Sequence, residues 1–105
     1  MKSVILESPY AGDIEANVEY ARKCVRDCLL RGESPIASHL LYTQEGILRD
    51  WNILERNWGI NAGLEWLRVA ELQVFYVDKG VSKGMQYDMD YAKSIGFPYE
   101  IRRLE

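Results

Sequence analysis

A small doubly wound α/β fold, with about four parallel strands and helices on both faces, is what this sequence predicts. Two observations carry that expectation. Short apolar runs and amphipathic segments alternate four times along the chain, the pattern of successive strand–helix units that build a parallel sheet. Residues that favour turns collect between them, as in Ser8-Pro9-Tyr10-Ala11-Gly12-Asp13 and Asp78-Lys79-Gly80. At 105 residues the chain suits one domain over 1–105, able to bury roughly two thirds of its unfolded surface. It shows no internal repeat, linker or low-complexity tract.

Val4-Ile5-Leu6 is the first strand. Asp13 is placed to cap a helix in which Ile14, Val18, Ala21, Val25 and Leu29 recur at helical spacing. Gly32 closes that helix, and Arg31 beside it complements the dipole. Cys24 and Cys28 stack on one face of it and read as core packing with reduced thiols. Pro35-Ile36-Ala37-Ser38 is a short second strand leading to His39. Tyr42-Thr43-Gln44 reads as loop and Gly46 to Trp51 as a helical turn.

An apolar pattern through Leu54, Trp58, Ala62 and the Leu64–Leu67 region predicts a helix over Ile53–Val69. Gly59 and Gly63 lie inside it, each costing about 1 kcal/mol relative to Ala. Their spacing fits close packing on the sheet, and room for a ligand is the alternative. The tryptophans Trp51, Trp58 and Trp66 form one helical stripe, suited to core or subunit interface more than to base stacking. Leu72 to Val77 is a buried strand, Gly84 to Ser94 the last helix with Gly96 as its cap, and Pro98 to Ile101 an edge strand.

Composition narrows the function classes. An apolar fraction of 48% and a charged fraction of 28% describe an ordinary globular protein. A net charge of −3 gives no basic footprint, so no nucleic-acid partner is expected. The longest apolar run falls far short of the ~20 residues that span a bilayer. Met1-Lys2-Ser3 does not open a signal peptide. A cytoplasmic location without membrane contact is the expectation. The single histidine, His39, lies on a different element from the cysteines, so the sequence offers no metal site. No cofactor is expected.

Ligands of doubly wound sheets sit at the carboxyl ends of the strands. The loops there are Ser8–Asp13, Ser38–Thr43 and Asp78–Gly84, where small and polar residues gather. The last is the most informative. The strand ending at Val77 passes through Ser82-Lys83-Gly84 into a helix whose free N–H groups and dipole favour an anion such as phosphate. Asp88 stands one turn into that helix. Each residue has a plainer alternative: Asp88 as a first-turn carboxylate, Ser82 as N-cap, His39 as a satisfied structural histidine.

Ser8-Pro9-Tyr10-Ala11-Gly12, Pro35-Ile36-Ala37-Ser38-His39-Leu40, and Ser82-x-Gly84-Met85-x-x-Asp88-x-x-x-Ala92 occur in that order. Over nearly the whole chain they resemble the nucleoside 2-deoxyribosyltransferase superfamily, most of all its small uncharacterised members in bacteria and their phages. The resemblance implies a flavodoxin-like sheet, a pocket for a nucleoside or nucleoside phosphate, and a homo-oligomer in which neighbours complete the pockets. It implies ligand contacts from Ser8, Pro9, Tyr10, Gly12, His39, Ser82, Gly84 and Met85.

The resemblance also places Asp88 at the position of a glutamate nucleophile that attacks the anomeric carbon of the sugar. Asp88 is shorter by one methylene, about 1.5 Å, and misplacing a catalytic group by ~1 Å can cost about 10²-fold. Ser82 stands where phosphate-binding relatives contact the phosphate. The arginine that relatives carry near Tyr10 or Ala11 is absent. The second family acid aligns with Gly63, with Glu55 and Glu65 on other faces or turns.

Two functions follow. One is a protein that captures a nucleotide-like or ADP-ribose-like molecule without turning it over, which in a phage would sequester a signalling nucleotide of the host. The other is an N-glycosidase or 2-deoxyribosyltransferase with Asp88 as its catalytic carboxylate. With the second acid missing, the sequence favours binding. Three tryptophans, seven tyrosines and two phenylalanines exceed what a four-stranded sheet readily hides, which favours self-association.

Overall fold

A computed structural model describes residues 1–105. Strands β1 (Lys2–Glu7), β2 (Glu33–Ile36), β3 (Leu72–Tyr76) and β4 (Tyr99–Arg102) pair in parallel in the order β2-β1-β3-β4. The helices are α1 (Ile14–Leu30), the short α2 (Ser38–Leu41), α3 (Ile53–Glu65) and α4 (Lys83–Ile95). The chain leaves β1 toward β2, then returns past β1 to β3. Its connections therefore diverge at the carboxyl ends of β1 and β3 and leave a crevice there.

Strand alternation divides the interior. Val4 and Leu6 of β1, with Leu72, Val74 and Tyr76 of β3, pack on Tyr20, Cys24 and Cys28 of α1. Phe75 of β3 points the other way and, with Val77, packs on Met85 and Met89 of α4 and on Tyr99. Helices thus cover both faces, as a doubly wound fold requires. By the same alternation, Glu7 and Gln73 face the α4 side. Local signals mark the helix ends. Asp13 Oδ1 accepts from the Ala16 amide at 3.2 Å, and Ser82 Oγ accepts from the Met85 amide at 3.2 Å. Gly96 ends α4 in the left-handed region at φ 70°. No helix is long and apolar enough to cross a membrane.

Several elements differ from expectation. α1 buries Asn17, Tyr20, Ala21, Cys24 and Cys28, leaving Ile14 and Leu29 exposed. Two tethers rotate the helix to this stripe: Tyr20 Oη donates to Asp78, and Asn17 to the loop after β1. β2 starts at Glu33, because pairing with β1 runs from Lys2, and Ser38 already belongs to α2. Gly46 to Trp51 form turns without a helix, and Gly46 has a φ of 85° that a right-handed helix excludes.

α3 ends at Glu65 and tightens into a 3₁₀ turn over Trp66–Arg68. The tryptophans do not share one helix, and none is core: Trp51 is 79% exposed, Trp58 66% and Trp66 39%. The two glycines pack closely, but not on the sheet. A Cβ on Gly63 would lie 2.5 Å from Ser38 Oγ, and one on Gly59 3.1 Å from Leu48 Cδ1. They let α3 approach α2 and the loop between them.

Candidate functional site

A cavity of about 120 Å³ opens over the carboxyl ends of β1 and β3. Glu7, Ser8 and Tyr10 border it from β1 and its loop, and Ser38 and His39 from α2. α3 contributes Glu55, expected on another face, with Arg56, Gly59, Ile60 and Gly63; the start of α4 contributes Ser82, Gly84, Met85 and Asp88. The first loop is held from below. Buried Asn17 donates from Nδ2 to the carbonyls of Tyr10 and Ala11 at 2.9 and 3.1 Å.

Two carboxyl groups meet at this cavity. Gln73 Nε2 donates to Glu7 Oε2 at 2.7 Å, and Asp88 of α4 lies within hydrogen-bonding reach of Glu7. Burial, and then the adjacent Asp88, push the Glu7 carboxyl well above its ordinary range. Burial also raises Asp88, while the hydrogen bond from Glu7 draws it back. Both carboxyls are thus raised, Glu7 by its neighbour as well as by burial, so Glu7 is the one suited to donate a hydrogen bond to Asp88. No lysine or arginine forms an ion pair with either acid. Asp88 Oδ1 and Gln73 Oε1 are buried acceptors without a donor.

Ser8 Oγ and His39 Nε2 are 2.7 Å apart. Burial lowers His39 to about 4, so the ring is neutral at pH 7. Its Nδ1 is buried with no partner. A serine nucleophile activated by histidine needs a third group to orient the base, and none is in place here. The pair links α2 to the loop after β1 and is not a catalytic triad.

On α3, Asn52 Oδ1 caps the Leu54 and Glu55 amides. Arg49 Nε donates to Glu55 Oε2 at 2.7 Å, tying the preceding loop to the helix. Arg56 faces the cavity from the same turn. The first loop lacks an arginine, and α3, from the middle of the chain, brings one to the cavity.

A family described as a domain of unknown function, DUF7768, matches residues 2–102. The chain belongs to that family. No curated protein matches the sequence. Among solved structures, this DUF7768 chain is similar to a 2-deoxyribosyltransferase from the psychrotolerant bacterium Bacillus psychrosaccharolyticus, with a TM-score of 0.62 and 16% identity. The likeness covers 96% of this chain and 72% of that one. It shows a deoxyribosyltransferase-like fold for this DUF7768 member, which is the resemblance the three sequence motifs carry.

Of the residues singled out from the sequence, Ser8, Tyr10, His39, Ser82, Gly84, Met85 and Asp88 all border the one cavity. Pro9 and Gly12 do not. Pro9 is buried beneath the loop, and Gly12 is exposed at its tip with a φ of 102°. Sequence reasoning missed Glu7 and Arg56. Glu7 had a usable signal, a carboxylate closing the apolar run Val4-Ile5-Leu6 at a strand's carboxyl end. Arg56 had only its helical register with Gly59 and Gly63.

Proposed function

We propose that the cavity binds a nucleoside or nucleotide-like molecule with its sugar over the Glu7–Asp88 pair, and that the protein captures this molecule without turning it over. One observation carries the reading: a buried carboxylate oxygen, Asp88 Oδ1, stands without a donor at the crevice where doubly wound sheets take their ligands. Sugar hydroxyls are donors of the right kind for it. The similarity in fold to a 2-deoxyribosyltransferase supports the ligand class. In a phage, in the cytoplasm of its host, such a protein would sequester a signalling nucleotide.

Glu7 favours a second reading, cleavage of the N-glycosidic bond, because it supplies from β1 a second carboxyl beside Asp88. The placement of that carboxyl argues against it. Acids that flank a scissile glycosidic bond stand about 5 Å or more apart, whereas Glu7 and Asp88 lie within hydrogen-bonding reach of each other. Glu7 is therefore too near Asp88 for the two to flank a scissile bond. Its hydrogen bond to Asp88 weakens that carboxylate as a nucleophile.

The deciding experiment incubates the protein with the common deoxynucleosides, ribonucleosides and their 5′-monophosphates, with calorimetry for binding and chromatography for free base. Binding without base release over hours is expected, and Asp88→Asn should weaken it by about tenfold, the worth of one charged hydrogen bond. Free base that scales with protein and vanishes in Asp88→Asn would establish the catalytic reading instead. Absence of any binding would remove both.

A further inference from the structure

We propose that Arg56 is the anion anchor of this cavity and that the ligand it selects is phosphorylated, a nucleoside monophosphate in preference to the nucleoside. The proposal rests on the reading of the cavity as a nucleoside site and adds to it the charge and the position of one substituent.

Arg56, Gly59 and Gly63 share one face of α3 by their i, i+3, i+7 spacing, and all three border the cavity. The two glycines let this face of α3 pack close to Ser38 and Leu48, which line the same cavity, and so bring Arg56 to its border. Arg56 is half-buried, yet it has no ion pair and no side-chain hydrogen bond. Its neighbours behave differently. Arg49 is held by Glu55, and Arg102 by Glu33. No other lysine or arginine borders the cavity. Asp50 borders it as well but makes no ion pair with Arg56, so the guanidinium remains available.

A second donor set lies on another wall of the same space. Ser82 Oγ takes the Met85 amide, which leaves the Lys83 and Gly84 N–H groups at the start of α4 uncommitted. Phosphate suits both sets: it accepts two parallel bonds from a guanidinium and binds at helix N-termini. A neutral nucleoside would leave the guanidinium partly desolvated and unanswered, which costs free energy. The same cost disfavours the empty cavity closing on itself.

The test is calorimetry on the intact protein with 2′-deoxyadenosine, thymidine and their 5′-monophosphates, comparing wild type, Arg56→Gln and Arg56→Lys. At least one monophosphate should bind wild type about tenfold or more tighter than its nucleoside. Arg56→Gln should erase that preference, and Arg56→Lys should keep part of it. Equal affinity for nucleoside and monophosphate, or an Arg56→Gln variant that keeps the preference, would overturn the assignment of Arg56 and leave the nucleoside site standing. If neither class binds, the nucleoside reading fails, and inorganic phosphate then decides on Arg56 alone. A rise in wild-type melting temperature with phosphate that Arg56→Gln lacks keeps it as an anion anchor. No such rise removes it.

Discussion

Buried acids lie on both faces of the sheet, and the two sites hold them in opposite ways. On the α1 side, Arg102 donates twice to Glu33, each bond 2.7 Å long. The arginine side chain is only 5% exposed. Tyr76 Oη accepts from the same arginine and donates to Asp27, closing a network. The Arg102 hydrogen bonds hold the Glu33 carboxyl below its ordinary range. On the α4 side, Glu7 and Asp88 have no cation, and burial holds both above it. The first site answers its charges from within the chain and leaves nothing for a ligand. The second leaves an acceptor unanswered beside a cavity, which is where function is to be sought.

Removing one acid from each site should separate them most sharply. Glu33→Gln leaves Arg102 buried with the half-exposed Glu100 as its one remaining ion-pair partner, and breaking a buried pair this way costs about 3–5 kcal/mol. Glu7→Gln keeps the bond from Gln73 and still donates to Asp88, so it should stay within about 1 kcal/mol of wild type. Urea denaturation measures both. A Glu33→Gln loss no larger than that of Glu7→Gln would collapse the distinction.

Acidity should divide them next, in opposite directions. Glu33 titrates lower in the fold than in the unfolded chain, where glutamate lies near 4.3. Its contribution is present above that value and is lost as pH falls through the folded one. Glu7 titrates higher in the fold. Its contribution is complete below about 4.3 and is lost as pH rises through its raised folded value. Glu7→Gln carries no charge to desolvate, so its melting temperature should gain on wild type as pH rises above about 4.3 and through the raised folded value. A constant difference across that range would show that Glu7 is not raised in the fold.

The smallest effect on stability concerns the outer surfaces of the helices over each site. α1 turns Glu19 and Lys23 outward, whereas the α3 region exposes Trp51, Leu54 and Trp58. An apolar patch of this kind marks an interaction surface, and we expect two copies of the chain to meet through it. Light scattering should give twice the 12.2 kDa chain mass. Trp58→Lys should return the monomer while changing its folding stability by no more than about 0.5 kcal/mol. A wild type that scatters as a monomer at micromolar concentration would remove the interface.

What the sequence by itself determined is the part governed by neighbours along the chain. Alternating apolar runs specify strands and helices, and Asp13, Ser82 and Gly96 end them with bonds that span three or four residues. The parallel sheet follows, and with it the edge at which Ser8, His39, Ser82 and Asp88 gather. Tertiary structure alone decided how those residues are charged and what else reaches them. Glu7 and Asp88 come from opposite ends of the sequence, and their carboxyls meet only because β1 and α4 pack together with no cation paired to either acid. Arg56 was one charged helix residue among several until α2 set the rotation of α3. The same packing left the tryptophans outside, because Gly63, not a large apolar side chain, is what α3 buries. Burial and the pairing of charges depend on which surfaces meet, and local sequence does not specify that.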